Sequence, residues 1–110
     1  MGLTTREENG VVIVTVDGQL IVSNRQQLKQ AVMDELDNGA TKFVVDFGET
    51  GYIDSSGLGL LVSLSKRVGE AGGALRLSSL NDDLGSLFEL TKLDTLLDIY
   101  DTVEQAVEGL

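Results

Sequence analysis

The run Val11-Val12-Ile13-Val14-Thr15-Val16 leaves this chain few folds to choose from. All six residues branch at Cβ, which crowds a helix and suits a pleated strand. Polar residues do not alternate with apolar ones along the run. Neither face can therefore be given to water, which marks a strand covered on both sides. Phe43-Val44-Val45-Asp46-Phe47 has the same character. Between and after these strands the apolar residues recur at helical spacing instead. Leu28, Ala31, Val32 and Leu36 form one stripe, opened by Ser23-Asn24-Arg25-Gln26 with the spacing of a capping box and closed by Gly39.

Strands alternating with helices point to parallel pairing through right-handed crossovers. The first two strands are an exception. Leu3 to Glu8 reads as an edge strand, and Asn9-Gly10 joins it to Val11–Val16 as a tight hairpin, so this pair is antiparallel. Asp17-Gly18 is read as the end of the second strand, and Gly48-Glu49-Thr50-Gly51 as a loop leading to Tyr52-Ile53. A helix is expected from about Ser55 to Ala71, with Leu58, Leu61, Val62 and Val68 facing the sheet and Gly72-Gly73 closing it. A short strand, Ala74 to Ser78, follows. Asn81 caps a third helix carrying Leu84, Leu87 and Phe88. Leu97 and Ile99 belong to a peripheral strand, and Thr102-Val103-Glu104-Gln105 opens a terminal helix. The expected fold is α/β: one domain over residues 1–110, with a mixed, mostly parallel sheet, an N-terminal antiparallel hairpin and about four helices.

Composition removes whole classes of function. Eighteen acidic residues against eight basic ones give a net charge of −10. Such a surface is repelled by a nucleic-acid backbone and by an anionic membrane, so neither is expected as a partner. A basic protein partner is compatible with it. Cys, His and Trp are absent. No disulfide, cysteine–histidine zinc site or Ser-His-Asp triad can be built, and the usual general base is missing. No apolar run is long enough to span a bilayer, and Met1 to Arg6 lacks the apolar stretch of a signal peptide. The expectation is a soluble, cytoplasmic protein that is not an enzyme and carries no cofactor or metal.

Asp54-Ser55-Ser56-Gly57-Leu58-Gly59 is the string that carries chemistry. It stands between an apolar strand and an amphipathic helix. Exposed N–H groups and the helix dipole favour negative charge there, so a hydroxyl at this point can receive and hold a phosphate. The plainer reading is that Asp54 and Ser55 only cap the helix. Gly57 and Gly59 do not open a dinucleotide fingerprint, because the third glycine would fall at Val62. Asp46 and Asp54 alone are a weak metal pair. Lys66 cannot serve Ser55 as a base, since eleven helical residues rise about 16 Å. Leu60 and Leu64 lie on a second line of the same helix. They either widen its core face or form an exposed contact patch beside Ser55.

These residues resemble a known family. Phe43 to Phe47 followed by Tyr52-Ile53-Asp54-Ser55-Ser56-Gly57-Leu58-Gly59-Leu60-Leu61 is similar to the central signature of the STAS domain, most of all in the stand-alone bacterial anti-sigma factor antagonists. The likeness continues through Leu87 to Leu93 and Ile99 to Ala106. It implies partner switching. The unphosphorylated antagonist binds an anti-sigma factor with serine kinase activity and frees the sigma factor. The kinase then phosphorylates the antagonist, and a PP2C-type serine phosphatase restores it. The phosphorylated residue implied is Ser55, with Asp54, Ser56 and Gly57 around it. The implied partner-binding face comprises Gln19, Ile21, Ser23 and Asn24, with Leu60 and Leu64 on the helix. Ile21 stands where the family commonly has an acidic residue. The alternative within the same resemblance is a STAS docking subunit, never phosphorylated, of a signalling scaffold or a membrane lipid-transporter complex.

Overall fold

Two strands make the centre of the molecule, and both are longer than their apolar cores suggest. In the computed structural model, which describes residues 1–110, β1 (Gly2–Glu8) turns into β2 (Val11–Leu20). Helix α1 (Arg25–Asp37) leads to β3 (Lys42–Ile53), α2 (Ser55–Glu70) to β4 (Ala74–Ser78), and α3 (Asp82–Leu90) with a 3-10 turn (Leu93–Thr95) to β5 (Asp98–Tyr100). A short α4 (Val103–Val107) ends the chain. The five strands lie in sequence order, β1–β2 antiparallel and every later pair parallel. Asn9 and Gly10 both have positive φ, 53° and 81°, as a tight hairpin turn requires.

The expected strand ends at Asp17-Gly18 and Gly48–Gly51 are corrected by the structure. These two segments pair with each other, Asp17 with Glu49 and Gly18 with Thr50, so the ladder continues to Leu20 and Ile53. Register shifts on either side of Asp17 and Gly18 absorb the irregularity, and Gly18 takes a φ of 101° that a side chain would resist. The Thr50 hydroxyl donates to the Val16 carbonyl at 2.6 Å, which makes a turn-forming residue at home inside the sheet. Gln19 is thus a strand residue.

Helices α1, α2 and α3 all cover one face, packing on Val12, Val14, Val16, Phe43, Val45 and Phe47. Sequential strand order with right-handed crossovers places them there together. The other face buries Val11, Ile13 and Val44 under Ala106 of α4. The two β-branched runs are therefore covered on both sides, as their composition demands. Arg76 fastens α4 to the sheet. Its Nη1 donates to the Ala106 and Glu108 carbonyls at 3.0 and 2.8 Å, and its guanidinium lies 4.9 Å from the centre of the Tyr100 ring. No helix is long and apolar enough to cross a membrane.

Helix ends also part from expectation at one place. Asn24, not Ser23, is the residue before α1, and no side chain caps that helix. The Asn24 amide is used on the preceding turn instead: its Oδ1 accepts from the Ile21 N–H at 2.9 Å and its Nδ2 donates to the Gln19 carbonyl at 3.0 Å. Asn81 and Thr102 do cap their helices, accepting from the Leu84 and Gln105 N–H groups.

Candidate functional site

The carboxyl ends of β2 and β3 lie side by side, and the Asp54–Gly57 string leaves from there. Asp54 is extended, with φ −87° and ψ 178°, and caps α2. Its Oδ1 accepts from the Gly57 N–H at 2.9 Å and from the Ser56 hydroxyl at 2.7 Å. Its Oδ2 accepts from the Val22 N–H at 3.0 Å. Its own N–H donates to the Leu20 carbonyl at 3.0 Å. One residue thus ties the start of α2 to the β2–α1 turn. The Ser56 hydroxyl first, then the Gly57 N–H, holds the Asp54 carboxyl below its ordinary range, with a smaller contribution from Val22. The carboxylate is therefore charged over a wide pH span.

At Gly57 the first turn of α2 lies tight against the end of β2. A Cβ there would stand 2.7 Å from the Leu20 carbonyl oxygen and 2.9 Å from Ile53 Cγ2. Only a glycine lets the helix approach that near. The two serines divide sharply. Ser56 is half-buried and its hydroxyl is committed to Asp54, whereas Ser55 is exposed on the first turn and its hydroxyl bonds to no protein group.

The turn over this helix start holds Ile21, half-buried, and Ser23, exposed. Gln19 and Asn24 are joined by the bond already described. Gln19 at the end of β2 and Ile21, Ser23 and Asn24 in the turn after it therefore form one segment, bound to α2 through Asp54. Leu60 and Leu64 do not join them. They are 3% and 1% exposed and lie in the main core, which corrects the reading of them as a contact patch. The reason is that α2 packs on α1 as well as on the sheet, so it buries a wider arc than one stripe. The exposed side of α2 next to Ser55 is Gly59, Ser63 and Lys66.

Two neighbours escaped the sequence reading. Val22 is 68% exposed and Tyr52 is 55% exposed, large side chains at the end of β2 and β3 respectively. The apolar triplet Leu20-Ile21-Val22 was the available signal, because a turn can bury only part of it. Asp46 spends its oxygens on the Thr15 hydroxyl and the Gly48 N–H. No three His, Cys, Asp or Glu side chains gather in a way that could hold a metal ion.

Comparison with known proteins agrees in sequence and in shape. A family model described as the STAS domain matches residues 3–106. A Thermotoga maritima protein, described as a candidate anti-sigma factor antagonist, is 34% identical over 99 residues, 89% of this chain and 88% of the relative. The anti-sigma-B factor antagonist of Bacillus subtilis is 27% identical over 108 residues, 98% of each chain. The crystal structure of a candidate anti-sigma factor antagonist from Thermotoga maritima superimposes with a TM-score of 0.89 at 32% identity, covering 96% of this chain and 92% of that one.

Proposed function

The chain belongs to the STAS domain family, and on that premise we propose that it is an anti-sigma factor antagonist switched by phosphorylation of Ser55. The relatives named as such antagonists support the first half of this reading. The observation that carries the second half is the free, exposed Ser55 hydroxyl on the first turn of α2, beside a neighbour whose hydroxyl is already taken by Asp54.

A phosphate on Ser55 adds about −1.5 to −2 charge and three acceptor oxygens. The positive end of α2 tolerates it, so the domain keeps its fold. The charge stands next to the Asp54 carboxylate and in front of the Gln19–Asn24 turn. A partner docked over that segment meets new bulk and a local negative charge raised from that of one carboxylate to about two and a half to three times as much, and leaves. In this scheme the partner is an anti-sigma factor with serine kinase activity, and a PP2C-type serine phosphatase restores binding. The protein itself catalyses nothing; Asp54 positions the turn, and Ile21, Val22, Ser23 and Asn24 with Gln19 make the contact.

The test is mass spectrometry of the protein isolated from its native cells, with Ser55→Ala and Ser56→Ala alongside. One phosphate, lost in Ser55→Ala and kept in Ser56→Ala, is expected. Absence of phosphate across growth and stress conditions, with an intact bound partner, would make the domain a constitutive docking subunit instead.

A further inference from the structure

Asp54 treats its two serine neighbours differently. The Ser56 hydroxyl donates to Oδ1 at 2.7 Å, and the same oxygen accepts from the Gly57 N–H at 2.9 Å. Oδ2 accepts from the Val22 N–H at 3.0 Å, 32 residues away in the chain. The carboxylate is thus fixed from two sides, and half-buried Ser56 is turned toward it. Ser55 is exposed, and no protein group holds its hydroxyl. A hydroxyl 2.7 Å from a carboxylate is also the arrangement of a nucleophile and its base. One bond therefore has two readings of opposite sign: Asp54 activates Ser56, or Asp54 withholds it.

The other partners of the carboxylate decide between them. Its two oxygens are shared by the Ser56 hydroxyl and the Gly57 and Val22 N–H groups, which together hold it below its ordinary range. A carboxylate so placed is a weak base. It accepts the hydrogen bond without taking the proton. Phosphoryl transfer also removes the bond itself. The serine Oγ bonds to the γ-phosphorus of a nucleoside triphosphate, the bond from that phosphorus to its bridging oxygen breaks, and the nucleoside diphosphate leaves. The hydroxyl proton passes to a base of the kinase. On Ser56 that proton is the one joining the side chain to Asp54. Its place would be taken by a group of about −1.5 to −2 charge, set against a carboxylate at hydrogen-bond distance. On Ser55 no such bond is lost, and the new charge stands in solvent.

We infer that Asp54 determines which of the two serines is phosphorylated, by withholding Ser56 and leaving Ser55 to react. This rests on the phosphorylation switch proposed above. The test expresses the full chain and its variants in the native cells and maps phosphate by tandem mass spectrometry. Ser55→Ala alone carries no phosphate on Ser56, because Asp54 still holds that hydroxyl. Ser55→Ala combined with Asp54→Asn carries it, with an increase of about tenfold or more, as loss of a hydrogen bond to a charged group corresponds to. Asn caps a helix as well as Asp does, so the first turn of α2 persists. A purely structural role for Asp54 would therefore leave the pattern of Ser55→Ala unchanged. Phosphate on Ser56 in Ser55→Ala alone, none on Ser56 when Asp54→Asn is added, or loss of all phosphate from Asp54→Asn with both serines present would overturn the assignment. In each of these cases phosphate on Ser55 of the parent still upholds the switch. A parent without phosphate on Ser55 removes the switch and this assignment together.

Discussion

Replacing Gly57 by Ala tests whether close approach of α2 to β2 builds the site. The added methyl would stand 2.7 Å from the Leu20 carbonyl oxygen, 2.9 Å from Ile53 Cγ2 and 3.0 Å from Leu20 Cγ. An ordinary contact needs about 3.4 Å or more, so the helix must retreat by about 0.7 Å at its first turn. The Leu20 carbonyl cannot simply swing aside, because it accepts the Asp54 N–H at 3.0 Å. Overpacking of this kind costs about 1–3 kcal/mol, and a weakened hydrogen bond about 0.5–1.5 kcal/mol more. Exchange of Gly for Ala in a helix returns up to about 1 kcal/mol. The expected net loss is about 0.5–3.5 kcal/mol, with a fall in Tm of roughly 4–8 °C for each kcal/mol in a domain near this size. Thermal unfolding followed by circular dichroism measures it. Amide shifts of Val22 and Ser55 should move with it, since Asp54 couples both to the helix start. A variant as stable as the parent, or more stable, would refute the claim that this glycine is required by contact.

Other consequences follow from the same geometry. Leu64→Ala leaves a cavity in the core and should cost about 3–5 kcal/mol in urea unfolding, while the affinity of the folded fraction for a partner stays unchanged. Arg76→Ala frees the Ala106 and Glu108 carbonyls; hydrogen exchange should quicken through α4 and not in α2, with a stability loss of about 1–3 kcal/mol. Because the folded-state pKa of Asp54 is depressed, its contribution to stability is present above the ordinary value of 3.8 and is lost as pH falls through the lower folded value. Acid unfolding of Asp54→Asn should therefore show a shallower loss of stability in that window than the parent, and an identical acid limb would show the bonds to Asp54 to be inconsequential.

Much of this protein could be read from residues adjacent in the chain. Val11–Val16 and Phe43–Phe47 could only be strands covered on both faces, and Asn9-Gly10 could only join neighbours antiparallel. Gly39, Asn81 and Asp54 announced helix ends through local backbone chemistry, and the Asp54-Ser55 string was conspicuous for the same reason. What local pattern could not supply were the choices made by distant partners. Asp17-Gly18 and Gly48–Gly51 have turn composition, yet each becomes strand because the other lies beside it. Leu60 and Leu64 are core because α1 packs on the flank of α2. Val22 is left in water although its neighbours Leu20 and Ile21 are not. The bonds that decide these matters join Thr50 to Val16 and Asp54 to Val22, pairs 34 and 32 residues apart. Propensity and periodicity are sums over near neighbours along the chain, whereas burial and pairing are settled by whichever residues the fold brings alongside, and only the tertiary structure holds that information.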